Sequence, residues 1–161
     1  MGFYKGRISN NNLSNKIKTN SYMYPEELVA PMRAELTEVG FLEFKTAEDV
    51  ESHLKDHKGT TFIVVNSVCG CAAGAARPGV KYALDKTDAR PTVLATVFAG
   101  NDTGAVNKLR EACLPYPPSS PAMALFKDGE LVHFVERHHI EGRNAQLIGE
   151  HLVEVFEHFC K

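Results

Sequence analysis

At 161 residues the chain suits one domain, large enough to close a hydrophobic core without staples. Its 18 basic and 20 acidic side chains leave a net charge of −2, which gives no electrostatic case for nucleic acid or an anionic membrane as partner. No run reaches membrane-span length, the amino end has no apolar signal core, and 4 cysteines are too few for a disulfide scaffold. The expected location is therefore a reducing cytoplasm, with the cysteines held mostly as thiols.

Residues Met1 to Asn20 hold no acid, four basic residues and a cluster of asparagines, with neither period 2 nor period 3.6. A disordered or loosely ordered extension is expected over residues 1–21, followed by a single domain over residues 22–161. Pro25, Glu26 and Glu27 read as a first helical turn, and Pro31 predicts a kink or a fresh helix start. Met32, Leu36 and Val39 give that segment one apolar stripe up to Gly40. Phe41 to Phe44 is a short strand candidate, and Thr46 to Asp49 resembles a capping box opening a helix with Val50 and Leu54 inward that ends near Gly59.

Phe62 to Val65 is a continuous apolar run of the kind that forms a strand buried on both faces. Asn66 and Ser67 end it, and an alanine-rich segment from Ala72 reads as a helix, kinked or ended at Arg77-Pro78-Gly79 and continued by Val80, Tyr82, Ala83 and Leu84. Pro91 to Ala99 is a second buried strand; Asp102 or Thr103 then caps a helix whose inner stripe is Val106, Leu109 and Cys113. After a proline-rich loop from Pro115 to Pro121, Ala122–Phe126 and Leu131–Val135 form a hairpin around Asp128-Gly129. From Asn144 an amphipathic helix carries Leu147, Ile148, Leu152, Val155, Phe156 and Phe159 on one face. The order β-α-β-α-β-α-β-β-α after the first helix, parallel at first and antiparallel at the end, is an α/β domain.

Between the first buried strand and its helix stand Cys69 and Cys71, separated only by Gly70. The nucleophile of disulfide exchange is a thiolate, and a helix amino terminus lowers a thiol pKa through free amides and partial positive charge. Cys69 sits just before the helix start, so it is the attacking thiol, and Cys71, in the first turn and less exposed, the resolving one. Gly70 suits the backbone angles of the small ring that a Cys69–Cys71 disulfide would close. Such a ring should be strained, which makes the disulfide easy to reduce and ready to exchange.

Duller readings compete. Cys69 and Cys71 could be structural, or half of a zinc site, but zinc needs two further ligands. Cys113, Cys160, His133, His138 and His139 offer none at the usual spacing. Cys113 reads as core and Cys160 as a thiol without a role. His133 reads as a satisfied strand residue, and His138-His139 as a surface pair ill placed to share one metal. Arg77 reads as a solvated helix face, with steering of an anionic substrate as its other possible use.

Ser120-Pro121-Ala-Met-Ala-Leu-Phe-Lys-Asp-Gly-Glu130 resembles the thioredoxin segment in which a cis-proline precedes a strand and hairpin. More narrowly, the chain is similar to the bacilliredoxin family, thioredoxin-like proteins with Cys-Gly-Cys in place of Cys-x-x-Cys. The likeness runs through Tyr24–Leu36, Val65–Gly74, Ala76-Arg-Pro78, Pro117–Pro121, Leu125–Glu130 and Ile140-Glu-Gly142.

The resemblance implies a thioredoxin-like three-layer sandwich, with a mixed central sheet flanked by helices. It implies a cis Pro121 packed on the redox turn, with the backbone of Ser120 offered to substrate. It also implies a thiol–disulfide oxidoreductase that removes bacillithiol, or a similar small thiol, from mixed disulfides on client proteins. Cys69 would attack and Cys71 or a further small thiol would clear the adduct, with no cofactor beyond that co-substrate and no metal. A general protein disulfide oxidoreductase or isomerase, and a non-enzymatic thiol or metal-binding module, are the alternatives.

Overall fold

In the computed structural model, which describes residues 23–161, the central apolar run is strand β2, Thr60–Asn66, buried along its whole length. The extension expected over residues 1–21 lies outside the described residues. Side chains alternate along β2 with period 2, so Phe62 and Val64 enter one core while Ile63 and Val65 enter the other. A strand with apolar layers on both sides can carry no polar face, which is why the run reads as continuous rather than alternating.

Strand β1 is Leu42–Glu43, β3 is Val93–Phe98, β4 is Ala122–Lys127 and β5 is Glu130–Val135. Their order in the sheet is β1-β3-β2-β4-β5. β1 and β2 lie parallel to β3, whereas β4 runs antiparallel to β2 and to β5. Asp128 (φ 52°) and Gly129 (φ 82°) make the hairpin turn, as the Asp-Gly pair predicts. Glycine is also required there by space, because a Cβ would stand 2.4 Å from the Leu54 carbonyl oxygen.

Helix α1 is Glu26–Thr37, α2 is Ala47–Asp56, α3 is Arg77–Lys86, α4 is Thr103–Ala112, α5 is Arg137–Ile140 and α6 is Ala145–Phe159. Side chains of α1, α3 and α6 pack on one face of the sheet and those of α2 and α4 on the other, which gives the three layers. The predicted capping box of α2 is present: Asp49 N–H donates to Thr46 Oγ1 (3.1 Å) and Thr46 N–H donates to Asp49 Oδ2 (3.0 Å). α3 and α6 approach closely. A Cβ at Gly79 would meet Ile148 Cγ2 at 2.7 Å, and one at Gly149 would meet Tyr82 Cδ1 at 2.3 Å.

Several sequence expectations give way to packing. α1 runs through Pro31 instead of restarting there; Pro31 and Glu27 are exposed, so water can take the carbonyl that proline leaves unpaired. Its buried face is Val29, Arg33 and Leu36, with Met32 and Val39 only half-buried. At Pro78 the chain stays helical. A π-helical turn over Ala72–Ala76, in which Arg77 N–H reaches back to the Ala72 carbonyl, precedes α3 and widens the winding where the proline ring would crowd it. Asp102 precedes α4 but caps nothing with its side chain. Its carboxylate instead takes Arg33 Nη1 and Nη2, each at 2.9 Å, and Phe98 N–H at 2.9 Å. Leu147, assigned to the apolar face of α6, is 52% exposed, because the seam follows Ile148, Leu152, Val155 and Phe156. The short helix α5 carries no signal in the sequence.

Candidate active site

The strand-to-helix turn is tied down from below. Asn66 Oδ1 accepts from Ser67 N–H (2.9 Å) and from Arg77 Nη1 (3.0 Å), and Asn66 Nδ2 donates to the Met32 carbonyl (3.0 Å). Arg77 Nη1 also donates to the Ser67 carbonyl (3.0 Å), and its Nε pairs with Glu35. Arg77 is 3% exposed, so it is neither a solvated helix face nor a steering charge. It is the buried tie between α1, the end of β2 and the start of the helical winding. The sequence reading fails here because the acceptors that bury Arg77 come from separate elements.

On this base the backbone turns upward at Cys69, whose N–H donates to Ser67 Oγ (3.2 Å). The Cys69 carbonyl accepts from Ala72 N–H (3.0 Å) and Ala73 N–H (3.2 Å), so the winding begins at Cys69. Cys71 N–H donates to Cys69 Sγ (3.4 Å), the position a capping side chain takes at a helix start. Both thiols are free, and their sulfurs lie 2.8 Å apart. A hydrogen bond from the Cys71 thiol, opposed by desolvation and aided by the Cys71 amide and the Arg137 charge, brings the Cys69 pKa below the ordinary thiol value. The same contact pushes Cys71 upward, as do its burial and the negative charge on Cys69. The two sulfurs are thus chemically unequal: Cys69 lines a cleft, whereas Cys71 packs against the core.

Gly70 adopts no left-handed backbone conformation, and a Cβ there would meet nothing within 4 Å. The dithiol form therefore makes no demand for glycine, and any such demand belongs to the closed ring.

The cleft has a volume of about 470 Å³, and Ser120 and Arg137 line it together with Cys69. The Ser120–Pro121 peptide is cis and Pro121 is buried, and Ser120, just before it, shares the cleft wall with Cys69. A second cis bond, Leu114–Pro115, opens the same proline-rich loop. The Ser120 carbonyl accepts from Arg137 Nη1 (3.1 Å), and Arg137 N–H donates to Ser119 Oγ (3.3 Å). Arg137 also pairs with Glu141. Arg137 and Arg110, another residue of the cleft wall, were not singled out by sequence. Arg110 stands one turn on from Val106 and flanks the core stripe of α4, half-buried, so a charge beside an apolar stripe was the only signal for it, and Arg137 lies in the unpredicted α5.

The remaining candidates lie elsewhere. Cys113 is buried on the α4 side of the core, and desolvation pushes its thiol up to about 12. Cys160 is half-buried, with its pKa also raised by burial. His133 has a partner, as its strand position suggested, with His133 Nε2 2.9 Å from His151 Nε2. The His138-His139 pair is less dispersed than its adjacency suggested, since α5 brings ligand atoms of Glu136, His138 and His139 within 4.8 Å of one another. Neither Cys69 nor Cys71 belongs to a three-ligand group among the described residues. Among those residues no helix is long and apolar enough to cross a membrane.

The sequence pattern of the family described as disulphide isomerase matches residues 24–160. A bacilliredoxin of Cytophaga hutchinsonii is 63% identical over 84% of this chain and 98% of its own length. One from Bacillus licheniformis is 50% identical over 85% of this chain and 95% of its own. Among solved structures, one described as having a thioredoxin fold superposes with a TM-score of 0.54 at 14% identity, covering 73% of this chain and 96% of that one. Thioredoxin of Malassezia sympodialis does so at 0.50 and 12%, covering 76% and 92%. The structural likenesses speak for the fold and the sequence likenesses for the family. With two unequal thiols at the head of a helix on that fold, the chain belongs to the bacilliredoxin family of thiol–disulfide oxidoreductases.

Proposed function

We propose that the exchange chemistry removes a low-molecular-weight thiol, bacillithiol, from mixed disulfides on client proteins in the cytoplasm, with Cys69 as nucleophile and Cys71 as resolving thiol. The observation that carries this reading is the inequality of the pair: one sulfur lines the cleft and the other, 2.8 Å away, packs against the core, and their contact lowers the pKa of the first and raises that of the second. The small thiol is read from the relatives named bacilliredoxin.

In the first step the Cys69 thiolate attacks the bacillithiol sulfur of the mixed disulfide. A Cys69–bacillithiol disulfide forms, the client sulfur leaves with the electron pair of the broken bond, and the client is released as a thiol. In the second step Cys71 gives up its proton and attacks Cys69 Sγ, closing the Cys69–Cys71 disulfide and expelling bacillithiol as thiolate. A free bacillithiol attacking the adduct would restore Cys69 directly and leave as bacillithiol disulfide. The Ser120 backbone beside cis Pro121 meets the client chain, its carbonyl already held by Arg137. Bacillithiol is co-substrate, and no further cofactor or metal takes part.

The test uses Cys71→Ser protein and a client peptide capped with bacillithiol. Intact mass should show the small thiol moving from client to Cys69, and Cys69→Ser should take up none. The family description favours a second reading, isomerisation of protein disulfides. If the capped peptide is left untouched while a scrambled disulfide protein is rearranged through Cys69, that reading replaces the first.

A further inference from the structure

We infer that Tyr24 is a specificity-determining residue for the client: held on the cleft wall by Asn101, its ring receives an apolar side chain next to the client's capped cysteine. The inference rests on the exchange reading above. It adds the chemistry by which the client, rather than the small thiol, is chosen.

Tyr24 lines the same cleft as Cys69 and Ser120 and is 38% exposed. Its main chain is held from inside the protein. Tyr24 N–H donates to Asn101 Oδ1 (2.9 Å), and Asn101 Nδ2 donates to the Tyr24 carbonyl (3.0 Å) and to Glu26 Oε1 (3.3 Å). Asn101 is itself buried, and its N–H donates to the Phe98 carbonyl (3.2 Å). The neighbouring Asp102 holds Arg33, which donates to the same Glu26 oxygen (3.2 Å). One fixed side-chain amide thus pairs both main-chain groups of a residue 77 positions away, as a neighbouring strand would.

With both main-chain groups turned to Asn101, what Tyr24 offers the cleft is its ring. Among the described residues no other aromatic ring stacks on it and no polar group pairs with its hydroxyl. Val68, Ala99 and Val106 line the cleft as well, which suits it to an apolar side chain. A ring that closes on such a side chain removes apolar area from water, and one whose backbone is already fixed loses little freedom in doing so. In the exchange reading the Ser120 backbone meets the client's main chain, and Tyr24 meets a side chain of the same segment. A role confined to anchoring the start of the domain needs the Asn101 clamp but not the ring.

The experiment uses Cys71→Ser protein and two bacillithiol-capped peptides, identical except for the residues on either side of the cysteine, leucine in one and asparagine in the other. Rates of cap transfer to Cys69 are read by intact mass, each normalised to the same peptide reacting with free dithiothreitol. The leucine peptide should be favoured roughly tenfold, the effect of one well-packed apolar contact. Tyr24→Ala should lower that preference at least about threefold. Tyr24→Phe should keep it, and Asn101→Ala, which frees the ring, should lower it in part. Loading from the disulfide of 2-mercaptoethanol, which brings no client chain, should be equal in all of these proteins. A leucine preference absent in the parent, or unchanged by Tyr24→Ala, overturns the inference and leaves the exchange reading intact. So does Tyr24→Ala slowing both peptides and the small disulfide alike, the mark of a purely structural role. Tyr24→Ala alters a partly exposed side chain and decides the matter if Asn101→Ala does not fold. Failure of both peptides to load Cys69 in the parent would instead bring down the exchange reading, and this inference with it.

Discussion

A thiol turns nucleophilic only when something steadies its anion, and at Cys69 the Cys71 thiol is the largest contributor. The resolving cysteine therefore has two duties: it closes the disulfide late in the cycle, and it acidifies its partner early. Because the folded Cys69 pKa is lowered, thiolate is present at pH values where an ordinary cysteine is still protonated. Alkylation of Cys69 by iodoacetamide should then reach half its maximal rate below about pH 8.5, the usual thiol midpoint. Cys71→Ala removes the donor and should move the midpoint upward, slowing the reaction at neutral pH. Cys71→Ser keeps an O–H donor and should move it less. Identical midpoints in all three proteins would mean that helix start and Arg137 alone set the acidity.

At the scale of elements, the reactive turn is only as well placed as the ties beneath it. α1, β2 and the helical winding meet at Arg77, which holds Asn66, the Ser67 carbonyl and Glu35 together. Glu35 is partly exposed, so removing Arg77 strands no buried carboxylate. It does leave the buried Asn66 Oδ1 and Ser67 carbonyl each short of a charged donor. Arg77→Ala should therefore cost about 2–3 kcal/mol, read by urea unfolding, and should slow exchange through Cys69 although the residue touches no substrate. A change under about 0.5 kcal/mol, the range of ordinary surface substitutions, would show that the turn holds itself. The π-helical turn belongs to the same scale: Pro78 is legible as a disturbance, but whether a helix breaks or widens there depends on what packs around it.

For the molecule as a whole, the edge strand β5 and the last helix α6 meet through His133 and His151. Burial, then the neighbouring His151 and His139, lower the His133 pKa. Burial lowers that of His151 too, with Arg143 and His139 acting the same way and Glu154 against them. Both folded values lie below the unfolded ones, so the unfolded chain binds protons first as pH falls. Stability from this pair is complete above about pH 6.5 and declines as pH drops from there toward the depressed folded values. The melting temperature should fall over that interval, and replacing both histidines by asparagine should flatten the fall. An unchanged slope in the double variant would place the acid sensitivity elsewhere.

Local chemistry sufficed for much of this protein. The run Phe62 to Val65, the Thr46–Asp49 box, the Asp128-Gly129 turn and the thiol pair before an alanine-rich helix each depend on neighbours a few residues away, so their meaning is written in the linear order. The cis Ser120–Pro121 bond was visible only through family likeness, since about one X-Pro bond in twenty is cis by default. Tertiary structure alone decided that Arg77 is buried, that Asp102 serves Arg33 rather than its own helix, and that Arg110 and Arg137 share a cleft with Cys69. The physical reason is the same in each case. A charged side chain takes its role from partners that folding brings in from distant elements, and nothing in its own stretch of sequence names them.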